Sequence, residues 1–217
     1  MIDVQLTVPI RVAVVHAEGL SVTADDDAHA ALEERAARYR TDFPDASPGE
    51  IPGVQLARDL FRQLDLDPTR RRPSSESLLR RALQGRPMPR INALVDAGNL
   101  CSLDALLPLG LYDAAAVAGS VTLRVGADGE GYAAIGDKRM NLAGRYLLAD
   151  DLGAFGSPMT DSLRTAASLD TTETLIIIYA PIESPPDVIE AARAAMADLL
   201  RRFCSPRKVE VSTIAGA

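Results

Sequence analysis

The apolar residues of this chain change rhythm midway, and that change restricts the available folds more than any single motif does. From Asp26 to about Leu106 they recur at helical spacing; from Val121 onward they gather in short runs separated by glycine- or aspartate-rich turns. Ile10 to His16 (IRVAVVH) is the exception and reads as an early strand. Thr23 followed by Asp26 opens a helix with acids first and arginines last, the order its dipole favours. TDFPDASPGEIPG (41–53) is a loop, and VQLARDLFRQLDL (54–66) resumes the helical pattern with Val54, Ala57, Phe61 and Leu64. SESLLRRALQG predicts a short helix closed near Gly85, and Asn92 to Leu106 predicts another. VTLRV (121–125), GYAAIG (131–136), RYLLAD (145–150) and TLIIIYA (174–180) predict strands, with ADGE (127–130) a hairpin turn. Ser184-Pro185-Pro186-Asp187 reads as a helix start with Ser184 as the cap, followed by a stripe of Val188, Ala192, Ala195, Leu199 and Phe203. VEVSTIAGA leaves room for one terminal strand, and no internal repeat is visible. The expected class is mixed α/β: one domain over 1–217, with a central mixed or antiparallel sheet flanked by helices.

A chain of 217 residues holds one sizeable domain, or one with a small appendage. Tryptophan is absent and aromatics make up 4%, so the core must be built from Ala, Val, Leu and Ile. That scarcity argues against recognition of nucleic acid by base stacking, and a net charge of -7 disfavours a general DNA-binding protein. No basic region leads into an apolar run with a cleavage site, and LIIIY (175–179) is far too short to cross a bilayer. The expected location is therefore cytoplasmic, away from membranes. Cys101 and Cys204 read as ordinary reduced cysteines. His16 and His29 complete no ligand set with zinc spacing, so no metal is expected. GADGEGYAAIG lacks the lysine of a phosphate loop and the strand-to-helix context of a dinucleotide site, so no cofactor is expected either.

Arg70 to Arg90 (RRRPSSESLLRRALQGRPMPR) packs seven arginines and one acid into 21 residues, a local balance of +6 on a body of -13. Such an element attracts phosphate or carboxylate locally; a solvated arginine-rich helix face explains the charge equally well. Arg80 and Arg81 also suit the end of their helix, and one of Ser74 and Ser75 serves simply as its cap. Beyond a proline-marked loop, Asn92, Asp96, Asn99 and Ser102 recur among apolar residues; if buried, they need partners or a cleft. A third cluster lies within GSPMTDSLRT: Asp161, Ser162, Arg164 and Thr165. Arg164 suits bidentate binding of a carboxylate or terminal phosphate, or a structural ion pair with Asp150 or Asp151.

RRPSSESLLRRALQG, PRINALVDAGNLCSL and LPLGLYD, continued through TLRVGADGEGY, LLADD and TTETLIIIYAP, resemble the tRNA-binding and editing module of the bacterial phenylalanyl-tRNA synthetase beta subunit, in its free-standing relatives. The resemblance covers 71–181 well and the flanks 1–70 and 182–217 weakly. It implies a module that hydrolyses tRNA mischarged with a tyrosine-like amino acid; the synthetase's ATP-using catalytic domain has no counterpart here. Where the synthetase has a glycine-rich loop, this chain has the charged segment around Asp161. Carried onto this sequence, the resemblance implies a cleft lined by Arg72, Ser74, Ser75, Asn92, Asn99, Ser102, Asp161, Ser162 and Arg164. Asp96 or Glu76 would orient the attacking water, and Arg80, Arg81 and Arg86 would meet the RNA. The expected partner is aminoacyl-tRNA or a small amino-acid-like ligand. The alternative is a non-catalytic module that binds tRNA, an amino acid or a small aminoacyl-like metabolite.

Overall fold

Glu173 to Pro181 is the spine of the molecule. Leu175 to Pro181 are all buried, because this strand is covered on both faces and has neighbours on both edges. The computed structural model describes residues 2–24, 26–136 and 138–216. In chain order its elements are β1 (Val4–Leu6), β2 (Ile10–Glu18), α1 (Asp27–Asp42), α2 (Val54–Gln63), α3 (Ser74–Leu83), α4 (Ala93–Ala105), β3 (Leu109–Asp113), β4 (Val121–Val125), β5 (Gly131–Ala134), β6 (Lys138–Asn141), β7 (Tyr146–Asp150), β8 (Gly153–Gly156), β9 (Glu173–Pro181), α5 (Pro186–Cys204) and β10 (Lys208–Ala215). No helix among the described residues is long and apolar enough to cross a membrane.

The central sheet has the order β10-β2-β9-β3 and is antiparallel throughout. Ala13, Val15 and Ala17 of β2 and Ile176, Ile178 and Ala180 of β9 meet α4 and α5 on one face. The alternate residues, Val12, Val14, Leu175, Ile177 and Tyr179, meet α2 and a second sheet, β1-β4-β7-β8, on the other. Each Val, Leu or Ile among them, withdrawn from water, contributes roughly 1.5–3 kcal/mol. A smaller core joins α1, α3 and α4 through Leu32, Leu79 and Leu103. The fold is thus mixed α/β, a central sheet flanked by helices.

Several expectations meet a different geometry. A turn does form at Ala127–Glu130, where Glu130 N–H donates to the Ala127 carbonyl, but the strands beside it do not pair. β4 pairs β1 and β7, while β5 pairs β6 and meets the loop after β8 through an antiparallel bridge between Ala134 and Ser162, so β5–β6 is an excursion inserted between two neighbours. Helix α5 begins with Pro185 rather than Ser184 at its cap, and the Ser184 hydroxyl is buried without a hydrogen bond. Its buried stripe runs through Ile189, Ala192, Met196, Leu200 and Cys204. Val188, Leu199 and Phe203 sit at the margin of that contact, because packing onto α4 and β2 rotates the helix by about one position. The sequence pattern does not announce β1, β3, β6 and β8, which span three to five residues each. Cys101 and Cys204 are buried and neither is in a disulfide, and burial pushes the Cys101 thiol up to about 12.

Candidate functional site

A cleft of about 350 Å³ opens where α3, α4, β3, the β5–β6 turn and the loop after β8 converge. Leu78, Val95, Leu109, Leu111, Ile135 and Met159 give it apolar walls, and its polar groups come from Ser74, Asn99, Ser102, Thr160 and Asp161. Gly98 permits the closeness of α4 and β3 here, since a Cβ at this position would stand 3.0 Å from Leu111 Cδ1. Ser102 donates to the Leu107 carbonyl at 2.8 Å, whereas the Asn99 amide makes no hydrogen bond among the described residues. Helix α3 starts on the cleft at Ser74, which brings the unpaired N–H groups of its first turn to that wall.

Asp161 is the group that distinguishes this cleft. Its backbone is clamped: its carbonyl accepts from Ile135 N–H at 3.0 Å, and Ser162 N–H donates to the Phe155 carbonyl at 2.9 Å. Oδ2 accepts from Leu111 N–H at 3.3 Å, while Oδ1 is shielded from solvent and makes no hydrogen bond. Burial pushes this carboxyl up to about 7, against the opposing pull of the Tyr112 hydroxyl and the Leu111 N–H. The loop before it is equally fixed, because the Ser157 hydroxyl donates to Thr160 O at 2.9 Å and accepts from Met159 and Thr160 N–H at 3.3 Å. Tyr112 lies beneath, its ring crossing Gly110 and Gly156, where an added Cβ would stand 1.9 and 2.3 Å from Tyr112 Oη.

Of the residues singled out from sequence, Ser74, Asn99, Ser102 and Asp161 line the cleft, and the others lie outside its lining. Asn92 caps α4, its side chain accepting from Val95 N–H at 2.9 Å. Asp96 reaches back to Ile91 N–H at 3.1 Å, so both residues are occupied at a helix start, and burial pushes the Asp96 carboxyl up. Glu76 is 2% exposed and held by Arg58 through two 2.8 Å bonds and by Arg72 at 3.2 Å. Burial alone would raise its pKa; the two guanidinium groups outweigh that and hold it below the usual range. Ser75 is fully buried beside it, its hydroxyl unpartnered. Ser162 bonds Thr165 within its own turn. Arg164 grips Asp150 with bonds of 2.9 and 3.0 Å and also donates to Ala116 O, the ion-pair arrangement of the two the sequence left open.

The arginine segment disperses in three dimensions. Arg70 pairs with Asp67, Arg72 with Glu76 and Arg90 with Asp26, and Arg81 donates to the Pro87 carbonyl. Arg80 and Arg86 are exposed. Residues that no sequence pattern singled out are Leu109, Leu111, Ile135, Met159 and Thr160 in the cleft, and Arg71, Arg139 and Arg145 around a separate hollow. Only the proximity of Thr160 to Asp161 within GSPMTDSLRT offered a signal.

One set of potential metal ligands does meet among the described residues: His16, Glu18 and Glu210, drawn together by the pairing of β2 with β10. Lys208 Nζ lies 3.5 Å from Glu18 and 3.0 Å from Glu210, and His16 Nε2 lies 2.6 Å from Glu173. Lys208 thus pairs with both glutamates across the sheet, and none of the cluster's members lines the cleft.

A stretch of 64 residues is 44% identical to the phenylalanine–tRNA ligase beta subunits of Brucella abortus (strain 2308) and Brucella suis biovar 1 (strain 1330), covering 29% of this chain and 8% of each subunit. An N-terminal fragment of the phenylalanyl-tRNA synthetase beta subunit from Pyrococcus horikoshii aligns over 54% of this chain and 42% of its own, at 17% identity and a TM-score of 0.45. A family model for the B3/4 domain matches residues 56–205, a span that contains every residue of the cleft, and on that match the chain belongs to the B3/4 domain family.

Proposed function

We propose that this protein binds the aminoacylated end of tRNA and hydrolyses mischarged aminoacyl esters in trans, with Asp161 as the general base. The observation that supports this most directly is the enclosed Asp161 carboxyl in a cleft large enough for an amino-acid side chain and its ester. A base with a pKa near 7 suits water activation at neutral pH better than an ordinary carboxylate, because it accepts a proton more readily while still being ionised in part. Oδ2 is the oxygen that would take that proton, since it keeps a second lone pair beside its single bond from Leu111 N–H, whereas Oδ1 is shielded from solvent. Asn99 would hold the ribose hydroxyls or the amino group, and the first-turn N–H groups of α3 would meet the developing oxyanion. The apolar wall of Leu78, Leu109, Leu111 and Met159 would receive the amino-acid side chain.

In this reading Asp96 and Glu76 position structure instead of water, because each already accepts hydrogen bonds from the protein itself. A module that binds the same end without turnover remains the rival, and the cleft serves it equally. The test is release of labelled tyrosine from mischarged tRNA by purified protein and by Asp161→Asn. Turnover that depends on Asp161 supports hydrolysis; ligand binding with no release at any pH from 5 to 9 supports the rival.

A further inference from the structure

We propose that Arg71, Arg139 and Arg145 form a phosphate-binding subsite beside the cleft. They surround one hollow of about 370 Å³, completed by Met140, Asn141 and Ala143, with no acidic residue among the described residues of its lining. None of the three makes a salt bridge among the described residues, in a protein with an excess of acids where ten other arginines find a carboxylate within 4.0 Å. Three guanidinium groups facing one hollow repel one another unless an anion lies between them, and their forked donors match phosphate oxygens bidentately.

The hollow adjoins the cleft through two connections. Arg71 Nη1 lies 3.8 Å from the sulfur of Met159, which lines the cleft on its other side. The β5–β6 hairpin supplies Ile135 to the cleft and Arg139 to Asn141 to the hollow. A ligand with an acyl group in the cleft would thus find its phosphate carried towards the arginines; this direction rests on the function proposed above, whereas phosphate affinity does not. The shared chemistry is a phosphate next to an aminoacyl-bearing ribose. Its source is either an internal phosphodiester of a single-stranded RNA end or the phosphate of a free nucleotide.

The test uses the full chain, a fluorescently labelled RNA hairpin ending in single-stranded CCA and not aminoacylated, and adenosine monophosphate. Binding is measured at several salt concentrations for the native protein, Arg71→Gln/Arg139→Gln/Arg145→Gln and Arg80→Gln/Arg81→Gln/Arg86→Gln. Loss of at least tenfold in hairpin affinity, with the slope of log K against log salt shallower by about 2, is expected only in the first variant. Weakened hairpin binding assigns the internal phosphodiester; weakened nucleotide binding without hairpin binding assigns the free nucleotide. Hairpin affinity and slope unchanged in the first variant would overturn the subsite, as would failure of both probes to bind the native protein. Absence of ester hydrolysis alongside intact phosphate binding would sink the function proposed above and leave this subsite standing.

Discussion

Two carboxyls, the buried Glu76 at the junction of α2 and α3 and the partly buried Asp161 in the loop after β8, show how surroundings divide one chemistry into two tasks. Glu76 meets two arginines and is held charged; Asp161 meets no cation, keeps one oxygen unpartnered and has its pKa pushed up to about 7. A carboxylate whose acceptor sites are filled fixes two helices against each other. One left partly unfilled beside a cleft weakens the fold while its lining oxygen remains available to a ligand.

The largest effect expected from this contrast is on catalysis. Asp161→Asn should reduce hydrolysis of mischarged tRNA by roughly 10²–10⁴-fold, the range for loss of a general base, and abolish the rise in rate with pH around 7. Rates within threefold of native would remove Asp161 from the mechanism. Glu76→Ala should instead act on the fold. It strands Arg58 and Arg72 against the half-buried junction, and urea denaturation should show a loss of about 3 kcal/mol. A loss below about 1 kcal/mol would mean that solvent screens the arginines and that the two carboxyls differ less than their geometry suggests.

The contrast also predicts opposite pH dependences. The folded pKa of Asp161 lies above its unfolded value, so its favourable contribution is complete below about pH 4 and is lost as pH rises through 7. Glu76 has a lowered pKa, so its contribution is present above its unfolded value and is lost on acidification. Asp161→Asn should therefore be more stable than the native protein above pH 7, by roughly 2 kcal/mol, with the gap closing towards pH 4. Equal stability at pH 8 would show that Oδ1 is hydrated. The smallest effect belongs to Asp96→Asn. The amide oxygen can still accept from Ile91 N–H, so stability should change by less than about 1 kcal/mol and hydrolysis by less than twofold. A hundredfold loss of turnover would return Asp96 to the catalytic role suggested by its helical spacing.

The elements that sequence made legible were those whose local rules and burial agree. Helices α1 to α4 carry clear stops and starts, and β9 is apolar enough to be a doubly covered strand in any α/β arrangement. Local capping was legible only in part: Asn92 does cap α4, yet the polar spacing of Asn92 and Asp96 reflects that cap and not a cleft face. Asn99 and Ser102, one and two turns further along, are the residues that reach the cleft.

Sequence by itself determined the mixed α/β class, the apolar central strand and the two polar clusters on opposite sides of the later cleft. These rest on periodicity and composition, which are properties of neighbouring residues. Only the tertiary structure decided that β5–β6 is an excursion, that Glu76 is paired with two arginines while Asp161 is not, and that Arg71 joins Arg139 and Arg145. Those outcomes depend on which distant groups share a low-dielectric space, and the energy of a buried charge is set by such neighbours rather than by position in the chain.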